Sequence, residues 1–246
     1  MIEAVDLSKR YDDGTLALDA LSFTVGPGEI YCLLGAPGAG KTTTLNLFLG
    51  FTSPTAGQAL VNGFDVAAGP RKARGHLAYL TADVAFYDRL TALQNLEYFA
   101  RLGGRFDLGR EHYAMALREV GLPERTFARK VGAFNRGMRQ KLGLAAAIVK
   151  DAPALLLDAP MAGVDAQATT EMFEILEMLR DRGKAILLAT DNLFHAKRVA
   201  TNTGILKEGR KVSSCSREEL RTQNLESLYL DYMRGGLELD ERAGLY

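Results

Sequence analysis

Residues 29–43, EIYCLLGAPGAGKTT, leave the chain little choice of fold. A short apolar run that ends at a glycine, too brief for a helix, predicts a strand buried on both faces. It leads into GAPGAGKT, Gly35 to Thr42, which matches the pattern G-x-x-x-x-G-K-S/T, with a helical pattern from about Lys41 to Gly50 behind it. Each part has a physical reason. Gly38 and Gly40 let the backbone turn so that its N–H groups, with those of Ala39 and Thr43, converge as an anion nest. The start of the helix adds the positive end of its dipole. Lys41 is placed to bridge the terminal phosphates of a nucleotide, and the Thr42 hydroxyl to ligate Mg²⁺. A glycine turn with no ligand is the bland alternative; the Lys-Thr pair and the strand–helix context weigh against it. The expectation is binding of a nucleoside triphosphate.

The rest of the chain supports an α/β fold. IEAVDL and LDALSFTV read as strands on either side of a DDG turn, and GQALVNG and HLAYL as two further short strands. From Thr91 to Lys150 the pattern turns helical: TALQNLEYFARL, REHYAMALREVGL and RGMRQKLGLAAAIVK. Strand character returns in PALLLD and KAILLAT, separated by a helix with Met172, Ile175, Leu176 and Leu179 on one face. A short helix, then TGILKEG and KVSS, close the sheet, and the tail from about Glu218 reads as helical and polar. The alternation predicts a mostly parallel, doubly wound sheet, and with the phosphate loop the fold class expected is an α/β P-loop NTPase. Its expected parts are a mostly parallel sheet core, an N-terminal antiparallel β region and an inserted α-helical lobe.

Bulk properties exclude some classes. The 246 residues suffice for one large domain with an inserted lobe. Lys plus Arg and Asp plus Glu both number 30, a balance that argues against a general nucleic-acid binder. Cys32 and Cys215 form no CxxC; Cys32 lies in an apolar run as a small buried hydrophobe. Sparse cysteine fits a reducing cytosol. The N-terminal segment lacks an apolar signal core, and no apolar run approaches the roughly 18 residues a bilayer span requires, so a membrane function is expected to need a partner chain.

The phosphate loop, the helical stretch, FNRGMRQKLGLA and LLLDAPMAGVD occur in the order and spacing of a known family. Over about residues 1 to 220 the chain resembles the nucleotide-binding subunits of ATP-binding cassette (ABC) transporters. FYDRLTALQNLEYFARL and RGMRQKLGLA most resemble the single-cassette subunits of bacterial ABC-2-type exporters. The resemblance implies an ATP-binding domain over 1–220 with a helical lobe inserted at about 88–150, and a helical tail over 221–246. It implies ATP and Mg²⁺ as ligands, held between two cassettes stacked head to tail. Tyr11 would stack on adenine, Asp158 would hold Mg²⁺ through water, and Asp165 would reach across the dimer. Asn135, Arg136, Gly137 and Met138 would form the signature loop that faces the partner's γ-phosphate. The implied partners are a second cassette and integral membrane permease subunits, with no nucleic acid. The implied place is the cytoplasmic face of the inner membrane. The apolar residues Phe86, Tyr87, Leu90 and Leu93 suggest a groove wall for a short helix of the permease.

Departures from the family pattern are chemical. The lid-loop glutamine falls on Ala82, the catalytic glutamate on Ala159, the switch histidine on Asp191 and the signature serine on Asn135. Ala159 has no carboxylate to orient water, a group worth about 10² to 10⁴ in rate. Asp191 brings negative charge toward a phosphate that a histidine would stabilise. Neighbours offer no evident replacement: Asp83 points the other way on an extended loop, and His195, one turn past Asp191 if the helix has begun, reads as a surface histidine. Asn135 can still donate to a phosphate oxygen. Lys41, Thr42, Asp158 and Tyr11 remain, so binding is kept in cis while no catalytic set is intact. Three readings stand: an ATP-holding half of an asymmetric pair with a competent partner, a non-hydrolysing homodimeric scaffold, and an ATPase with a relocated base. A P-loop kinase or GTPase would leave NRGMRQKLGLA without purpose, and no NKxD is present.

Overall fold

The structure is a computed structural model that describes residues 1–222. In chain order, β1 (Ile2–Arg10) and β2 (Leu16–Val25) pair antiparallel, and β3 (Ile30–Leu34) leads into α1 (Lys41–Leu49). The next elements are β4 (Ala56–Val61), β5 (Phe64–Asp65), α2 (Pro70–Gly75), β6 (Leu77–Thr81), α3 (Ala92–Leu102), α4 (Arg110–Glu119) and α5 (Arg136–Lys150). The chain continues through β7 (Ala154–Asp158), α6 (Ala166–Asp181), β8 (Ala185–Thr190), α7 (Leu193–Val199), β9 (Asn202–Lys207), β10 (Arg210–Ser216) and α8 (Arg217–Thr222). Residues 223–246 of the expected helical tail lie outside the described residues.

The strands form two sheets. One is antiparallel in the order β2-β1-β4-β5; the other runs β10-β9-β3-β8-β7-β6, parallel except for β10. The continuous apolar runs follow from burial of both faces of the second sheet. Ile30, Cys32 and Leu34 of β3 face one cluster with Leu155, Leu157, Ile186 and Leu188, under α3 to α6. Tyr31 and Leu33 face the other, with Leu156, Leu187, α1 and the antiparallel sheet.

Two elements were absent from the sequence reading. The β4–β5 hairpin turns at Asn62 and Gly63, both at positive φ (50° and 79°), as a tight hairpin requires. The short α2 starts with Pro70 in its first turn. One local expectation changes as well. Asn192 caps α7 by accepting from the N–H groups of Phe194 and His195, so Asp191 precedes the helix rather than sharing a face with His195. His195 is no surface residue: it is half-buried, edge-on to Phe173, and desolvation lowers its pKa against the opposing pull of Asp191.

Candidate nucleotide-binding site

Three neighbouring strands end together. Leu34 of β3 lies beside Thr190 of β8, and Asp158 of β7 beside Ala189. The chain thus releases the phosphate loop, Asp158 and Asp191 at one edge, the usual ligand side of a parallel sheet. Gly35 has no room for a side chain, since a Cβ would lie 2.5 Å from the Leu206 carbonyl oxygen. Gly40 caps α1 at φ 109° with no side-chain hydrogen bond. The first-turn N–H groups of α1 therefore face outward without an intrahelical or side-chain acceptor, which is the arrangement that binds phosphate. Gly38 and Thr42 are exposed at the loop surface, while Ala39 is buried and contributes backbone alone.

Lys41 Nζ donates to the carbonyls of Gly35 (2.7 Å) and Ala36 (3.0 Å), inside the loop. Burial lowers its pKa, and the carboxylates of Asp191 and then Asp158 oppose that shift. Asp158 is half-buried; desolvation raises its pKa and the Lys41 ammonium offsets part of the rise. Among the described residues no cluster of three or more His, Cys, Asp or Glu could hold a metal alone. One carboxylate and the Thr42 hydroxyl, completed by phosphate oxygens, suit Mg²⁺.

A cavity of about 590 Å³ opens in front of the loop, lined by Pro37, Lys41, Thr43, Thr15, Leu16 and Glu208 among others. Tyr11 stands at its rim, 37 % exposed, with its hydroxyl 3.3 Å from Thr43 Oγ1 and Lys9 Nζ over its ring at 5.2 Å. The walls from β2 and the β9–β10 turn were not foreseen. At the β9–β10 turn, Glu208-Gly209, the Gly209 N–H donates to the Ala39 carbonyl at 3.0 Å and fixes the turn against the phosphate loop.

The departures are in place. Ala159 follows Asp158 at φ 44°, its N–H held by the Ala189 carbonyl at 2.9 Å. Ala82 accepts at its carbonyl from Gln140 Nε2 (2.6 Å) and Arg136 Nη2 (3.2 Å). Asp83 pairs with the same Arg136 at 2.9 Å and points into solvent.

The Asn135–Met138 segment divides by role. Asn135 is exposed and caps α5, its Oδ1 accepting from Met138 N–H at 2.8 Å, which leaves its amide NH₂ for an outside acceptor. Arg136 is exposed but engaged by Ala82 and Asp83. Gly137 is buried where α5 meets α6, with room for a Cβ only 2.8 Å from that of Ala168. Met138 is half-buried against the core. Asp165 caps α6 by accepting from Ala168 N–H at 2.9 Å, a role inside this chain that the sequence reading did not assign.

A second cavity of about 560 Å³ lies between β6 and the helices, lined by Asp83, Val84, Phe86, Phe99, Ala147 and Lys150 among others. Of the four apolar residues Phe86, Tyr87, Leu90 and Leu93, Phe86 alone lines it. Tyr87 instead packs edge-on to Tyr98 outside it. Buried Asn95 holds the intervening loop: it accepts from Tyr87 N–H and donates to the carbonyls of Tyr87 and Thr91. No helix among the described residues is long and apolar enough to cross a membrane.

The family model described as ABC transporter matches residues 18–162. The Nod factor export ATP-binding protein I of Burkholderia pseudomallei (strain 1710b) is 39 % identical over 212 residues, 86 % of this chain and 69 % of that protein. The ABC transporter ATP-binding protein NatA of Bacillus subtilis (strain 168) is 29 % identical over 249 residues, 96 % of this chain and all of that one. A solved structure described as the ATP binding subunit of an ABC transporter superposes with a TM-score of 0.82 at 30 % identity, covering 95 % of this chain and 99 % of the other. The chain belongs to the ATP-binding subunits of ABC transporters.

Proposed function

We propose that this chain is the ATP-holding half of an asymmetric exporter: it binds Mg-ATP, does not hydrolyse it at its own site, and closes against a different, competent cassette to drive a separate membrane permease. The carrying observation is the pairing at one sheet edge of an intact cradle with Ala159 and Asp191. The cradle is the uncapped start of α1, Lys41 and Asp158. The α1 N–H groups and Lys41 hold the phosphates, and Tyr11 offers a ring for the base. Mg²⁺, when bound, supplies charge neutralisation between the phosphates, resting on Thr42 and, through water, Asp158. Ala159 cannot orient or deprotonate water, so the bound triphosphate is kept. Asn135 presents its free NH₂ toward a partner's phosphate. The name of the Burkholderia relative, Nod factor export, supports export as the direction.

In this reading residues 1–220 form the cassette, with the 88–150 region as its helical lobe and 221–246 as an appended tail. The chain sits on the cytoplasmic face of the inner membrane through permease subunits. The cavity beside Phe86 and Phe99 receives a short permease helix, a docking that cross-linking from Asp83 in the native complex tests.

The test of the main reading is equilibrium binding and turnover of the purified chain. Mg-ATP should bind, hydrolysis should stay at background, and Lys41→Ala should abolish binding. Turnover that disappears with Lys41→Ala would sink the proposal. Co-purification with no second cassette chain would favour the homodimeric scaffold instead.

A further inference from the structure

The C-terminal end of α5 is bracketed by two exposed segments. On one side is α2, whose Ala73 is buried while Arg71, Lys72 and Arg74 occupy the exposed remainder of the turn. Lys150, the last residue of α5, donates from Nζ to the carbonyls of Arg74 and Leu77 and so fixes α2 against that end. On the other side is the segment that leaves α3. Arg105 Nη1 donates to the Val149 carbonyl at 3.3 Å. Next to it stand Leu102 and Phe106, 71 % and 77 % exposed, the two most exposed large apolar side chains among the described residues.

Positive charge is left over on this surface. The nearby carboxylates are already used: Glu97 pairs with Arg101, Asp107 with Arg105 and Asp151 with Lys184. Residues 66–82 carry Arg71, Lys72 and Arg74 and no Asp or Glu. Among the described residues no hydrogen bond or ion pair engages the charged end of any of the three. The net charge of the whole chain is zero, so any attraction to an anionic surface has to be local. Unanswered cations beside bare apolar side chains are what an anionic membrane surface takes up: the cations meet the headgroups and the apolar groups enter the interface. The place fits as well. Lys150 and Leu102 both line the cavity beside Phe86 and Phe99, so the patch flanks the opening that faces the permease.

We propose that this end of the cassette is a lipid contact, in which Arg71, Lys72 and Arg74 bind the headgroups of anionic lipids and Leu102 and Phe106 enter the interface beside them. Its orientation rests on the permease docking proposed above, but its test needs neither a permease nor a nucleotide and so fails or succeeds separately from that reading. A consequence is that the membrane helps to seat the cassette under its permease instead of leaving the whole task to one helix.

The experiment is co-sedimentation of the purified chain with vesicles of phosphatidylcholine alone and of equal parts phosphatidylcholine and phosphatidylglycerol. The wild type should bind the anionic vesicles, leave the neutral ones, and be released as salt is raised to roughly 0.5 M. A cation close to an anionic surface corresponds to about five-fold in partitioning, so Arg71→Gln, Lys72→Gln and Arg74→Gln together should weaken binding about a hundred-fold. The control removes the same charge elsewhere: Arg125→Gln, Arg129→Gln and Lys130→Gln lie ahead of the start of α5, a 15-residue helix that spans about 22 Å, and should leave binding within about five-fold of wild type. The chain has no tryptophan, so Phe106→Trp is a single reporter whose emission should move to the blue on anionic vesicles alone. No binding to anionic vesicles, equal binding to neutral ones, an equal loss in the control, or an emission at position 106 that does not move on sedimenting vesicles overturns the proposal.

Discussion

Asn135 allows a stability role and a trans-acting role to be separated on one side chain. Its Oδ1 accepts from Met138 N–H at 2.8 Å, with extended backbone angles at the start of a 15-residue helix. Asn135→Ala removes the cap and leaves that N–H to solvent, a loss of about 1 kcal/mol. In a chain of this length about 1 kcal/mol corresponds to roughly 2–4 °C in Tm. Asn135→Asp keeps an accepting oxygen and adds a negative charge at the positive end of the dipole, worth about 0.3–1 kcal/mol and toward the low end at an exposed site. Thermal unfolding of the isolated chain by circular dichroism should therefore rank Asn135→Asp at or above wild type, with Asn135→Ala below both. The complex should rank them differently. Asn135→Asp removes the NH₂ donor and turns a carboxylate toward the partner's phosphate, so turnover at the partner's site should fall despite intact stability. An unchanged Tm in Asn135→Ala would refute the cap argument. Full partner turnover with Asn135→Asp would refute the donor argument.

Gly137→Val should cost about 1–3 kcal/mol, read as a lower denaturation midpoint, because its Cβ would meet Ala168 Cβ at 2.8 Å where two helices touch; an unaltered midpoint would contradict the close approach. Glu171 of α6 accepts a hydrogen bond from Lys141, which holds its carboxyl below the usual range. A carboxylate so depressed contributes stability above its unfolded pKa and loses it as pH falls through the folded value. The advantage of wild type over Glu171→Gln should thus be present near neutrality and fade below about pH 4; an advantage that grows on acidification counts against the pair. Ala159→Glu alone should gain far less hydrolysis than the roughly 10² to 10⁴ of a general base, and the triple change with Ala82→Gln and Asp191→His more than the product of its singles. The measurement is turnover in the reconstituted complex with the partner's own site disabled, and parity of the single with the triple would show that positions 82 and 191 do not matter.

Much of the fold was legible because the parallel strands are buried on both faces and so stand out as apolar runs: IYCLL, ALLLD and AILLAT all became strands. The phosphate loop was legible because its glycines and Lys-Thr have no other common use in that context. What stayed hidden were contacts that a local pattern does not carry. Asn62-Gly63 did carry a hairpin signal, but its second strand is two residues long, too short for alternation to show. Thr15, Leu16 and Glu208 line the nucleotide cavity only because β2 and the β9–β10 turn fold back onto the loop. Asn95 looks like a polar interruption of an apolar face, and its role in holding residues 87–91 needs the loop in place.

The mechanical frame and the catalytic groups of this cassette depend on different atoms. Position 82 carries only a methyl side chain, yet what ties the loop after β6 to α5 is the Ala82 backbone carbonyl, which Gln140 and Arg136 grip. In the turn after β7 Ala159 rests its N–H on the Ala189 carbonyl, and Val164 and Asp165 lead into a capped α6. Asp191 stands just before Asn192, the cap of α7, and takes no part in that cap. At each of these positions the segment is held by bonds that do not involve the side chain at that position. Here Asn135, Gly137 and Asp165 hold their structural contacts. On the proposed reading, in which the nucleotide-bound shape matters and hydrolysis at this chain's own site does not, those contacts are the ones the cassette requires.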